Sequence, residues 1–167
     1  DGKVYRQEFC RGAPTTELEE TGKSGKDETG TTISFLPDSE VFEELDLSSQ
    51  TLAQRFRETA FLTKGLRIVF VDEREGEETQ EFYAEGGIKD FVAYVNETKD
   101  AVHRHIVYFE GENGRGTVEV AMQWNTSYVE SVFSFANNIN THEGGTHLSG
   151  FKAALTGTLN RYARDKG

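Results

Sequence analysis

Few residues in this sequence have types and spacings that suggest chemistry. Gly22-Lys23-Ser24 supplies the last three residue types of a phosphate-cradling loop, in which backbone amides hold phosphate and the lysine reaches its oxygens. That loop needs a glycine five residues ahead of Gly22. Glu17 stands there instead, and Glu19 and Glu20 add repulsion. His142 and His147 enclose Glu143-Gly144-Gly145-Thr146, which invites comparison with a zinc-protease helix. Zinc ligation of that kind needs two histidines at i and i+4 on one helical face. Here they are one residue too far apart and the paired glycines disfavour helix, so a turn leading into a helix capped by Thr146 is the better reading. His103 and His105 share one face of a strand without a third ligand. Gly111, Gly114 and Gly116 reverse the order of a dinucleotide fingerprint and fall in a turn. Cys10 has no argued partner and reads as an inert small residue. Late in the last helix come Lys152, Arg161, Arg164 and Lys166, opposed only by Asp165. They complement the negative end of the helix dipole, or alternatively line a surface met by a polyanion.

The elements that must position these residues follow from periodicity. Lys3–Phe9 is strand-like, and the polar run from Arg11 to Glu28 reads as a long loop. Thr29–Leu36 alternates Thr31, Ile33 and Phe35 against Thr32 and Ser34, predicting a strand that forms an extended hairpin with the first. Ser39–Leu45 suits a short helical turn. Ser48 or Ser49 can cap a helix with Leu52, Phe56 and Ala60 on its apolar face and Ala53 beside it, closed by Gly65. Strands are predicted at Leu66–Asp72 and Thr79–Ala84, and a helix from Ile88 through Phe91, Val92 and Val95. Ile106–Glu110 and Thr117–Trp124 read as strands joined through 111–116, with Asn113-Gly114 as the turn signal. In the second of these, Val118, Val120, Met122 and Trp124 face inward. Tyr128–Ala136 is predicted as a strand buried on both sides. Thr146–Arg164 is predicted as a helix with Leu148, Phe151, Leu155, Leu159 and Tyr162 in one stripe. Mixed helices and hairpins make the fold class α+β.

Composition narrows the function. The chain has 167 residues, 18 Lys+Arg, 29 Asp+Glu and a formal net charge of −11. Such acidity argues against wrapping nucleic acid by charge alone. No stretch approaches the length of a membrane span, which predicts no membrane partner, and one cysteine excludes a disulfide framework and points to a reduced, cytoplasmic setting. Residues 1–86 hold 10 basic and 20 acidic side chains, while 87–167 hold 8 and 9. The change falls at Gly86-Gly87, where a domain boundary is placed. A solvated acidic face is the alternative account of the charge. The start at Asp1 and the stop just as a helix finishes predict an excised or partial sequence.

Several blocks resemble the gyrase B family of bacterial type IIA DNA topoisomerases. They are Thr29-Gly30-Thr31-Thr32-Ile33-Ser34-Phe35, Arg57-Glu58-Thr59-Ala60-Phe61-Leu62 and Tyr83-Ala84-Glu85-Gly86-Gly87-Ile88. More specific are the run from Val118 to Asn125, Val-Glu-Val-Ala-Met-Gln-Trp-Asn, and that from Asn137 through Glu143-Gly144-Gly145-Thr146-His147 to Phe151. They occur in the family's order over essentially the whole chain. The resemblance implies that 1–86 is the C-terminal part of a GHKL ATPase domain and 87–167 the N-terminal part of a ribosomal S5 domain 2-like transducer. It implies ATP with Mg²⁺ as cofactors, double-stranded DNA and gyrase A as partners, dimerisation on ATP binding, and negative supercoiling by DNA strand passage. Gly30 and Thr31 carry over as nucleotide-pocket residues, with Ile33 offering an apolar wall to the base. A glycine permits close backbone approach, and a threonine hydroxyl can donate or accept. The family's general-base Glu, Mg²⁺-binding Asn, adenine-reading Asp and glycine-rich lid are implied to precede Asp1, and its γ-phosphate lysine to follow Gly167. The segment alone is therefore expected to be inactive, with no catalytic residue and no metal ligand of its own. Lys152, Arg161 and Arg164 are implied to face a DNA-holding cavity, although His142 stands where some relatives have arginine. The corresponding ATPase component of topoisomerase IV and a non-enzymatic acidic interaction module are the alternatives.

Overall fold

The structure, a computed structural model, describes residues 2–74, 76–114 and 116–166. Two compact units divide the chain, residues 1–48 and 49–167.

In the first unit, β1 (Lys3–Arg6) pairs antiparallel with β4 (Glu19–Lys23), Lys3 opposite Lys23 and Arg6 opposite Glu19. Between them β2 (Phe9–Cys10) and β3 (Ala13–Pro14) form a small hairpin. Its two turn residues, Arg11 and Gly12, have φ of 51° and 81°, the left-handed pair that matches strand twist in a two-residue hairpin. The predicted loop from Arg11 to Glu28 thus contains two strands. Alternation could not show them because β1 and β4 are largely exposed on both faces. Cross-strand pairs such as Lys3–Glu20, at 2.6 Å, take the place of a buried face.

The strand predicted at Thr29–Leu36 is a second correction: the segment has no regular structure, and the partner of β1 is β4. Alternation states which side chains would be covered but supplies no ladder for the backbone, and no described strand pairs with this one. Ile33 is 82% and Phe35 70% exposed. The short turn expected after Pro37 is present, with the amides of Val41 and Phe42 both donating to the Asp38 carbonyl at 2.9 Å.

In the second unit, α1 (Ser49–Leu62) lies on the hairpin of β5 (Arg67–Asp72) and β6 (Glu78–Tyr83), paired from Arg67 opposite Tyr83 to Asp72 opposite Glu78. The predicted apolar face does the packing. Ala53, Ala60 and Phe82 are buried, and the Phe56 ring sits 5.3 Å from Phe70 and 6.3 Å from Phe82. Gly65, at φ 81°, ends the helix and returns the chain, its amide donating to the Ala84 carbonyl at 3.3 Å. Ser49 does not spend its hydroxyl on the helix; it donates to Asp72, and Arg74 Nη2 reaches both Ser49 Oγ at 2.9 Å and Asp72 Oδ2 at 2.6 Å. This clamp joins the start of α1 to the end of β5.

The helix α2 (Ile88–Asn96) follows Gly87, whose φ is 62°. Phe91 and Tyr94 lie 5.3 and 5.6 Å from the Phe61 ring of α1, so packing runs across the glycine pair. Strand β7 (Val107–Asn113) extends past the predicted end at Glu110, while β8 (Gly116–Met122) begins one residue early and stops short of the predicted Trp124, the two pairing through Gly111 opposite Val118 to Asn113 opposite Gly116. The inward face assigned to β8 is covered in part: Val120 and Met122 are half-buried, whereas Val118 is 56% and Trp124 46% exposed.

Only β9 (Phe135–Ala136) forms within the strand predicted at Tyr128–Ala136, and Tyr128 and Val129 are exposed rather than buried. It pairs with β10 (Ile139–Asn140) around Asn137 and Asn138, both at positive φ, where asparagine is among the least strained side chains. Finally α3 (Thr146–Lys166) is a helix of 21 residues with no buried residue. The carbonyl of Gly145 accepts the Ser149 amide at 3.0 Å, which gives Gly145 the capping position predicted for Thr146.

Candidate functional site

Gly30, Thr31 and Ile33 lie on the irregular stretch of the first unit, and all three are exposed. A Cβ placed on Gly30 would meet nothing within 4 Å, so the backbone there is open to close approach. The stretch is tied down at its far end. Arg11 pairs with Asp38 at 2.6 Å and with Glu40 at 2.6 Å, which fastens the residues after Pro37 to the β2–β3 hairpin. The Glu40 amide first, and the Arg11 guanidinium second, hold the Asp38 carboxyl below its usual range. A glycine, a hydroxyl and an apolar side chain stand in this order along the exposed stretch. Among the described residues no group of three or more His, Cys, Asp or Glu could hold a metal ion.

The basic residues of α3 do not act as one face. At about 100° per residue, Lys152 and Arg161 point to roughly opposite sides of the helix, whereas Arg161 and Arg164 are neighbours. Lys152 is engaged with Glu130 at 2.9 Å, and Arg164 Nε donates to the Asn160 carbonyl at 3.2 Å.

One imidazole of each histidine pair has a local duty. His103 Nε2 accepts the Trp124 amide at 3.2 Å and Nδ1 donates to the His105 carbonyl at 2.6 Å, leaving neither nitrogen for a metal. Gln123 adds a bond to the His103 carbonyl at 2.8 Å and accepts from Asn96 at 2.9 Å, so this amide cluster fixes the loop after α2 against the end of β8. His147 meets Thr141 Oγ1 at 3.3 Å in the turn before α3. Cys10 is exposed in the β2–β3 hairpin.

A cleft of about 770 Å³, which no sequence motif foretells, opens along α1, bounded by β6, α2 and Phe133. Arg57 lines it, its Cζ 5.6 Å from the Phe82 ring centroid and 5.7 Å from that of Tyr94. Helical phase puts Arg57, beside Phe56, at the margin of the packed face but does not show which rings meet it there.

This α+β arrangement is the one found in gyrase ATPase domains. The chain superposes on the 43K ATPase domain of Thermus thermophilus gyrase B, a structure containing an aminocoumarin, with TM-score 0.83 and 34% identity, over 99% of this chain and 45% of that one. A second match is the B-subunit of the DNA gyrase from Myxococcus xanthus, with TM-score 0.79 and 28% identity, over 97% and 47%. The family model described as DNA gyrase B matches residues 87–167. Among curated sequences, the DNA gyrase B protein of Halalkalibacterium halodurans is 50% identical over 98% of this chain and 26% of its own length. That of Myxococcus xanthus is 49% identical over 100% and 20%. Residues 87–167 thus match the DNA gyrase B family, and the chain as a whole is similar to DNA gyrase B sequences along essentially its full length while spanning about a quarter of theirs.

Proposed function

We propose that this segment serves an ATP-dependent type II topoisomerase as the seam between nucleotide-binding and motion-transmitting parts. In this reading residues 1–86 complete the ATPase domain and 87–167 begin the transducer. The observation that carries it is half-identity to DNA gyrase B along essentially the whole chain. The family match beginning at residue 87 supports the boundary, and the packing of α2 on α1 suits two parts that must move together.

Gly30, Thr31 and Ile33 form one wall beside the adenine. Bound ATP, with Mg²⁺ held by residues outside this segment, supplies the phosphoryl group whose hydrolysis drives the cycle. The chain's own part is to orient the base: Thr31 offers its hydroxyl, Gly30 lets the backbone approach, and Ile33 excludes water. Arg161 and Arg164 face DNA, Lys152 less directly, in a dimeric assembly with gyrase A in the cytoplasm. Isolated residues 1–167 hydrolyse no ATP.

A chimera tests this. The matching quarter of the Halalkalibacterium halodurans gyrase B is replaced by these 167 residues and assayed with gyrase A. ATP-dependent negative supercoiling is expected, with Thr31→Ala raising the KM for ATP about tenfold, roughly one lost polar contact. A folded chimera that neither supercoils nor binds ATP would overturn the proposal.

A further inference from the structure

We propose that the cleft along α1 is a docking site for an acidic polypeptide segment, whose carboxylate is clamped by Arg57. The half-buried guanidinium is held over the Phe82 and Tyr94 rings, yet it makes no hydrogen bond or ion pair with any described residue. A guanidinium carries five donors in a planar fork that matches a carboxylate, and the flanking rings hold the fork in place in advance. The carboxylates nearby are already used. Glu58 takes Arg55 at 3.3 Å and Gln54 at 3.3 Å, and Glu78 takes Gln80 at 3.0 Å. Arg57 is therefore a cation of the cleft with no carboxylate partner among the described residues.

The same glutamates select the occupant. Glu58 and Glu78 repel the several charges of a polyphosphate more strongly than the single charge of a peptide carboxylate. The cleft runs along α1 from Ser49 to Phe61, roughly 18 Å at 1.5 Å per residue, which is room for about five extended residues. Gln50 and Gln54, one turn apart, can address a peptide backbone. Phe61, one turn beyond Arg57, offers with Phe91 an apolar seat about two extended residues from the bound carboxylate. The recognised pattern is thus an acidic residue followed two positions later by an apolar one.

The probe is the fluorescein-labelled peptide Gly-Ser-Asp-Ser-Leu-Ser-Gly, titrated with the 167-residue chain and followed by fluorescence anisotropy. Saturable binding is expected, at least tenfold weaker when the peptide's Asp is replaced by Asn. Arg57→Gln should reproduce that loss, and Arg57→Lys, which keeps charge without the fork, should fall between. Sodium triphosphate should not compete beyond its ionic strength. The Asp/Asn peptide comparison needs no variant, so it holds even if Arg57→Gln perturbs folding. Equal binding of the two peptides, no binding of either, or displacement by triphosphate at matched ionic strength would overturn the proposal.

Discussion

Helices α1 and α3 carry similar apolar stripes, Leu52-Phe56-Ala60 in one and Leu148-Phe151-Leu155-Leu159-Tyr162 in the other. Only the first buries any residue fully; Leu148, Phe151 and Leu155 of α3 are half-buried and the rest of its stripe is exposed. Five residues after α1 ends, β5 begins, and the β5–β6 hairpin presents Phe70 and Phe82 to Phe56. The longer α3 has no such sheet delivered to it; Leu159 is 50% and Tyr162 65% exposed. An amphipathic pattern records which face a helix would bury, while burial itself depends on what the rest of the polypeptide brings to that face.

The sharpest break in the comparison is Phe56→Ala. It removes the ring at the centre of the α1 packing and should cost about 3 kcal/mol, read as a shift in the urea midpoint. Next comes Gly65→Ala. Space around Gly65 is open, so only the left-handed backbone resists a side chain, at roughly 1 kcal/mol.

A smaller effect is expected from Asp72→Asn, which loosens the clamp at the start of α1. Arg74, then Ser49, hold the Asp72 carboxyl well below the usual carboxylate range. A carboxyl depressed by folding contributes stability above its unfolded pKa of about 4 and loses it as pH falls toward the folded value. The variant should therefore melt lower at pH 7, and the two melting curves should converge progressively below about pH 4. Smallest of all, Leu159→Ala and Tyr162→Ala should each change stability by no more than about 0.5 kcal/mol in this chain. A cost near that of Phe56→Ala would erase the contrast between the helices.

What the sequence made legible follows the same divide. Where apolar residues of α1, β5 and β6 meet one another within some 35 residues, periodicity located the elements and their buried side chains. Where pairing is polar, β1 was legible as a strand but its partner β4 was not, since Glu19–Lys23 lacks the alternation that marks strands. The reverse held at Thr29–Leu36, where alternation was present but no described strand pairs with it, and at Tyr128–Ala136, where only the last two residues find a strand partner, in β10. The site behaved likewise. Gly30, Thr31 and Ile33 came from family resemblance, since nothing in their spacing distinguishes them from an ordinary strand. Arg57 depends on the packing of three elements, which helical phase alone does not disclose.

The most direct test is amide hydrogen exchange, residue by residue, in the isolated chain and in the Halalkalibacterium halodurans chimera. In the isolated chain the amides of α1 around Phe56 should exchange at least a hundredfold more slowly than those of α3 around Leu155, and α3 should gain comparable protection only in the chimera. Equal protection of both helices in the isolated chain, or an α3 left unprotected in the chimera, would contradict the dependence of helix burial on what the surrounding polypeptide supplies.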